Sequence, residues 1–98
     1  MVFIRYLNVG GNSGVIAYRV TENALEVLFR GNTGFFCLYS YKRSLINDAL
    51  FSSMVNRAQM GEGLNQALSS SEIKGSGTYT KTIVPVSAIH IVDLVEDR

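Results

Sequence analysis

The stretch from residue 15 to residue 41 most strongly limits what this chain can fold into, because short polar breaks divide it into three strand-like runs. In the middle run Leu25, Val27 and Phe29 alternate with other side chains, so they share one face of an extended strand. The break at 31–34 reads Gly-Asn-Thr-Gly, which are residues that tolerate the positive φ of a hairpin connection. The pattern predicts a three-stranded antiparallel meander.

From residue 44 onward the apolar residues recur at every third or fourth position instead of every second one. This spacing is typical of an amphipathic helix. We expect this helix to cover residues 44–60, with Ser44 as N-cap, Asp48 in the first turn and Gly61 as a left-handed C-cap. A shorter helix is predicted over residues 62–68. The apolar stripe of the first helix consists of Ile46, Leu50, Met54 and Ala58, widened by Leu45, Ala49 and Val55.

The flanking segments complete the predicted sheet. Residues 1–7 favour a first strand, and a connection rich in serine and glycine at 69–77 leads to two further strands at 78–84 and 89–95. Pro85 separates these two strands, and the second is apolar on both faces, so we expect it to be covered on two sides. The prediction is one α+β domain over residues 1–98. It has an antiparallel sheet of about five or six strands, the N-terminal meander plus the C-terminal strands, with a main and a short second helix packed on one face.

Composition narrows the functional classes. Nine basic and eight acidic residues leave a formal charge of +1, so any contact with nucleic acid must come from a local patch. Cys37 is the only cysteine, which excludes an intrachain disulfide, and its apolar neighbours predict a buried, inert thiol. His90 is the only histidine and is predicted to be structural and partly buried. We expect a cytoplasmic protein, since no signal-peptide pattern and no apolar run of roughly 20 residues is present.

Residues 12–68 resemble the KTSC domain, a small module named after the C-terminus of certain lysyl-tRNA synthetases and also found as free-standing bacterial proteins. Alanine stands at Ala17 where that family has glycine, and residues 77–98 form a C-terminal strand extension outside the resemblance. The resemblance implies contact with RNA, by association with the synthetase only. The residues that carry it are Ser13, Ile16-Ala17-Tyr18, Leu25-Glu26-Val27-Leu28-Phe29, Gly31 or Gly34, Tyr39-Ser40-Tyr41, and Ala58-Gln59-Met60-Gly61 with Leu64-Asn65.

The third strand of the meander is the candidate site, because Phe35, Cys37, Tyr39 and Tyr41 share one of its faces. Exposed aromatic rings on a sheet can stack unpaired bases, and nearby cations can hold phosphates. The alternative is that this face packs under the helix. The candidate nucleic-acid-binding residues are Tyr39, Tyr41, Arg30, Lys42, Arg43 and Arg57.

Two functional hypotheses follow. The first is a non-catalytic binding module for RNA or another single-stranded nucleic acid. The second is a structural or assembly protein that forms a homodimer or larger homo-oligomer through its C-terminal strands. No residue pattern predicts an enzyme, a cofactor or a metal site, because the acidic residues lack paired or metal-binding spacing.

Overall fold

The computed structural model describes residues 1–11, 13–70, 73 and 77–93. It confirms the predicted α+β class, with a six-stranded sheet, one main helix and a short second helix. Asn12, where the KTSC-like segment begins, lies outside the described residues, as does most of the 69–77 connection. The elements are β1 (Val2–Arg5), β2 (Val15–Val20), β3 (Ala24–Arg30), β4 (Phe35–Lys42), α1 (Asp48–Met60), α2 (Leu64–Leu68), β5 (Tyr79–Pro85) and β6 (His90–Val92).

The strands lie side by side in the order β5-β4-β3-β2-β1-β6. The predicted meander is confirmed, since β2, β3 and β4 are joined as antiparallel neighbours, and β5 extends the sheet beyond β4. The pair of β1 and β6 is parallel, with Val2 opposite His90 and Ile4 opposite Val92. The sheet is therefore mixed but mostly antiparallel, and this pair is where it differs from the predicted antiparallel sheet.

The start of α1 lies later than the sequence indicated. Ser44 sits in a single 3-10 turn at Arg43–Leu45, and the N-cap is Asn47. The Asn47 side-chain oxygen accepts hydrogen bonds from the N–H groups of Ala49 at 2.9 Å and Leu50 at 3.3 Å. These bonds satisfy donors that have no partner inside the helix. The C-cap prediction is confirmed, since Gly61 has a φ of 74°.

Helix α1 lies across one face of the sheet and forms the larger core with it. Phe51, Met54 and Ala58 are its buried side chains, so the predicted stripe missed Phe51. Leu45 and Ala49, which we expected on the stripe, are exposed. The sheet contributes Tyr6, Val15, Tyr18, Leu25, Val27 and Tyr41 to this core, and α2 and the segments next to the helices contribute Ile46, Leu64, Ala67, Leu68 and Ile73.

A second, smaller core lies on the opposite face of the sheet. Strands β5 and β6 are the two outermost strands, yet only residues 86–89 join them. This connection can span at most roughly 18 Å, whereas the edges of a flat six-stranded sheet are roughly 24 Å apart. The sheet must therefore curl, and its inner face encloses apolar side chains without a helix. The buried residues there are Phe3, Ala17, Leu28, Leu38 and Val84, with Ile16, Phe36, Ile89 and Ile91 packed against them.

The last strand differs from its prediction. Strand β6 covers only His90–Val92, and Leu94 and Val95 lie outside the described residues. Ile91 and Val92 point to opposite faces of the strand and are both half-buried, and the expected cover on two sides stays a prediction. His90 is exposed rather than partly buried, and its main-chain N–H donates to Met1 O at 2.8 Å.

Candidate functional site

Four aromatic rings cluster on the helix-covered face of β3, β4 and β5. Tyr39 and Tyr41 stack with their ring centroids 6.2 Å apart, and Tyr79 lies 5.5 Å from Tyr39 and 5.4 Å from Tyr41. Phe29 meets Tyr39 edge to face at 5.2 Å. These distances are typical of attractive aromatic pairs, so the cluster holds its rings in fixed positions.

The strand registers explain why the rings meet. Tyr41 lies opposite Tyr79 on β5, and Tyr39 lies opposite Lys81. On the other side of β4, Cys37 lies opposite Phe29. Because side chains alternate between faces, Tyr39, Tyr41 and Cys37 point to the same side, as the sequence predicted. Cys37 is half-buried rather than buried.

A cavity of about 340 Å³ opens between this cluster and α2. A second hollow of about 400 Å³ adjoins it toward the β3–β4 turn and shares Arg30 and Cys37 with it. We call the two together the aromatic groove. Its first part is lined by Phe29, Arg30, Cys37, Tyr39, Tyr41, Asn65, Leu68, Ser69 and Tyr79. Its second part is lined by Arg30, Gly31, Asn32, Phe35, Cys37, Lys81 and Ile83.

Two basic residues, Arg30 and Lys81, are among those that line the groove. Arg30 lines both parts, and the Lys81 ammonium lies 5.7 Å from the centroid of the Tyr39 ring. No acidic side chain occurs among the described residues that line it. Two cations beside a flat apolar surface suit a ligand that is aromatic and carries negative charge.

The two tyrosines of the predicted motif differ in accessibility. Tyr41 is only 4% exposed, and burial raises the pKa of its hydroxyl above the ordinary value, with further increases from Tyr39 and Tyr79. Tyr39 and Tyr79 are half-buried and border the cavity. A ligand in the groove would therefore meet Tyr39 and Tyr79, while Tyr41 supports them from the core.

The predicted cations do not converge on the aromatic rings. Only Arg30, at the end of β3, lines the groove. Lys42 lies opposite Ala24 at the beginning of β3, roughly 20 Å along the strand from Arg30. The Arg43 guanidinium lies over the Phe51 ring at 5.4 Å, on the side of α1. Lys42 and Arg43 line a separate hollow of about 400 Å³.

Arg57, the remaining predicted residue, links the two helices. Its guanidinium Nη1 donates a hydrogen bond of 2.9 Å to the main-chain oxygen of Gly63, in the turn between α1 and α2. Gly63 has a φ of 76°, so this turn includes a left-handed residue. Arg57 thereby stabilises the position of α2, which forms one wall of the groove.

The sequence prediction missed several polar or aromatic residues of the groove, among them Tyr79, Lys81, Asn65 and Ser69. A signal for the first two was present, because alternation in residues 79–83 places Tyr79, Lys81 and Ile83 on one face. What the sequence lacked was the pairing of this strand with β4. Asn65 and Ser69 reach the groove only through the docking of α2, for which no local pattern exists.

The described residues contain neither a cluster of metal-ligating side chains nor a helix that could span a membrane. Across residues 1–11, 13–70, 73 and 77–93, no group of three or more His, Cys, Asp or Glu side chains is placed to hold a metal ion. None of the described helices has the length and apolar character needed to cross a bilayer.

The chain was compared with family models, with curated proteins and with solved structures, and no match was found in any of the three.

Proposed function

We propose that this protein is a non-catalytic binding module for single-stranded nucleic acid and that the aromatic groove is its binding site. An unpaired base stacks on Tyr39 and Tyr79, and the flanking phosphates lie against Arg30 and Lys81. The observation that carries the proposal is the half-buried Tyr39 ring, which borders the cavity that Arg30 also lines and lies 5.7 Å from the Lys81 ammonium.

The dimensions and chemistry of the groove support this proposal. A cavity of about 340 Å³ falls within the ordinary range of small-ligand pockets, and it continues into the hollow that contains Lys81. The amide of Asn65 and the hydroxyl of Ser69 supply donors and acceptors that a base edge could meet. The resemblance to the KTSC domain adds an association with tRNA synthetases. The low net charge of the chain indicates modest affinity with few phosphate contacts.

The proposal is tested by fluorescence anisotropy of labelled single-stranded RNA and DNA of mixed sequence at low salt. Tyr39→Ala should weaken binding about 5- to 150-fold, because a base stacked on an aromatic side chain contributes roughly 1–3 kcal/mol. Tyr39→Phe keeps the ring and should bind nearly as the parent does. An absence of binding to every oligonucleotide at low salt would contradict the proposal.

Basic residues inside and outside the groove provide a matched comparison of their contribution to binding. Arg30→Gln and Lys81→Gln should each reduce the dependence of log affinity on log salt by about 0.7, as expected for one lost phosphate contact on a single strand. Lys42→Gln and Arg43→Gln remove the same charge outside the groove and should leave this slope almost unchanged. Equal effects of all four substitutions would indicate general attraction rather than a groove.

A second candidate function is self-assembly through the C-terminal strands. Strand β5 forms one edge of the sheet, and its residues Thr80 to Ile83 are all exposed. An uncovered edge strand offers unpaired main-chain groups to another strand. Light scattering over a wide concentration range tests this role, and a constant monomer mass would argue against it.

A further inference from the structure

The main-chain groups of β5 that face outward can be identified from its register. Lys42 N–H donates to Thr78 O and Val86 N–H donates to Gly34 O, both at 2.9 Å, at the two ends of the β4–β5 ladder. Hydrogen-bonded and non-hydrogen-bonded pairs alternate along an antiparallel ladder. Thr80, Thr82 and Val84 therefore direct their N–H and C=O groups toward β4. The groups that point to the open edge are those of Tyr79, Lys81 and Ile83, together with the C=O of Pro85.

Among the registers that pair this edge with a second copy of itself, the one about Thr82 is the most favourable, since an axis at Thr80 would set Ile83 opposite Gly77, whose φ of 64° is not that of an extended strand. A two-fold axis at Thr82 places Lys81 opposite Ile83 of the other copy, so that these residues exchange both main-chain hydrogen bonds. The Tyr79 N–H then donates to the main-chain oxygen of Pro85, and the Tyr79 oxygen gains no donor in return, because proline has no N–H. An axis at Lys81 would set two ammonium groups opposite each other, which is unfavourable. An axis at Ile83 would pair Lys81 with Pro85 and lose bonds near the centre.

The apolar surface at the end of β5 favours the same register. Ile83 is 55% exposed, and Phe35, which lies opposite Pro85, is 45% exposed. In the Thr82 register Tyr79 of the second copy lies opposite Pro85, on the same face as Phe35. The two Ile83 side chains become diagonal neighbours on the groove face, within reach of each other. The pairing that gives hydrogen-bond partners to the main-chain groups on the open edge of β5 thus also covers exposed apolar side chains.

We propose that two copies of this chain pair antiparallel through β5 about a two-fold axis at Thr82, joining their sheets and their aromatic grooves. Lys81 of the second copy lies beside Ile83, at the rim of the first copy's groove, and adds a cation to it. A single strand of nucleic acid could then run from one groove into the other. The pairing of the two copies requires no ligand. Only the binding of one nucleic-acid strand across both grooves rests on the proposed function.

Cysteine cross-linking tests the register without nucleic acid. In a Cys37→Ser background, Thr82→Cys places two thiols in a non-hydrogen-bonded pair about 4.5 Å apart between Cα atoms, which a disulfide can bridge. Under mild oxidation this variant should form covalent dimers at least about tenfold faster than Thr80→Cys, whose equivalent atoms lie well beyond the roughly 7 Å limit. Preferential cross-linking of Lys81→Cys, or equal rates at 80 and 82, would overturn the register.

Charge substitution tests the same interface in the otherwise unmodified chain. Thr82→Lys sets like charges opposite each other at the axis and should shift the protein to monomer in sedimentation experiments. Thr80→Lys adds the same charge to the same exposed face two residues away and should leave the dimer largely intact. A parent chain that is monomeric throughout the accessible concentration range, or dimers that persist in Thr82→Lys, would overturn the proposal.

Discussion

At the scale of single residues, Tyr39 and Tyr41 show how neighbours decide the role of a side chain. The two rings share one face of β4 and stack on each other, yet Tyr41 is buried and Tyr39 borders an open cavity. The sequence predicted their common face from alternation alone. It could not predict which ring stays accessible, because that depends on where α2 and β5 pack.

The burial of Tyr41 predicts an alkaline loss of stability. Its folded-state pKa is raised above the value of 10.0 that applies to an unperturbed tyrosine. The folded state therefore holds this proton more tightly than the unfolded chain does. The resulting stabilisation is complete below pH 10 and is lost as the pH rises through the folded-state pKa.

Tyr41→Phe removes this titration and should flatten the decrease in the free energy of unfolding between about pH 9 and about pH 11, measured by urea titration. Tyr18 also has a raised pKa through burial, so some decrease remains in the variant. Tyr18→Phe with Tyr41→Phe should be flatter still. Equal slopes in the parent and in Tyr41→Phe would contradict the assignment.

At the scale of elements, the strands and helices were largely predictable, whereas their ends and partners were not. The alternation in β3 and the Gly-containing turn were sufficient to predict the meander. The start of α1 was misplaced because Ser44 and Asn47 are both good N-cap residues, and the 3-10 turn at Arg43–Leu45 decides between them. The parallel pairing of β1 and β6 joins residues too distant in sequence for any local pattern to reveal.

The two cap candidates can be separated by substitution. Asn47→Ala should lower the free energy of unfolding by about 1 kcal/mol, because the N–H groups of Ala49 and Leu50 lose their acceptor. Ser44→Ala should have little effect, since Ser44 is exposed and precedes the helix. Chemical unfolding of both variants checks the assignment, and a larger effect at Ser44 would reverse it.

The end of α1 provides a second matched pair. Gly61 and Gly63 both have positive φ, at 74° and 76°. A Cβ at Gly61 would overlap Leu7, whereas a Cβ at Gly63 would come no closer than 3.4 Å to the flexible Arg57 side chain. Gly63→Ala should cost about 1–2 kcal/mol from backbone conformation alone.

Gly61→Ala should cost about 1–3 kcal/mol more than Gly63→Ala, because the segment of Leu7 must also move. Thermal and urea unfolding give the comparison. Similar losses for the two variants would show that Leu7 can shift at little cost.

At the scale of the whole molecule, the sheet has an apolar core on each face, although a helix covers only one of them. Leu25 lies under α1 and Leu28 lies within the curl, and both are fully buried. The sequence indicated the first core through the helical stripe. The second was hidden because the curl results from the short β5–β6 connection.

Leu28→Ala should therefore destabilise the fold as much as Leu25→Ala does, by about 2–5 kcal/mol each. An open sheet with one solvated face would give a small loss at Leu28 and a large one at Leu25. Equilibrium unfolding in urea distinguishes these outcomes, provided that both variants retain the parent circular dichroism spectrum.

The parallel pairing of β1 with β6 also has a consequence for synthesis. The ribosome releases residues 2–5 well before residues 90–92, which form their outer neighbour on the sheet. A nascent chain can assemble the meander early, whereas the outer edge of β1 stays unpaired until residues 90–92 have emerged. Chaperones that recognise exposed strands would therefore bind this chain at residues 2–5.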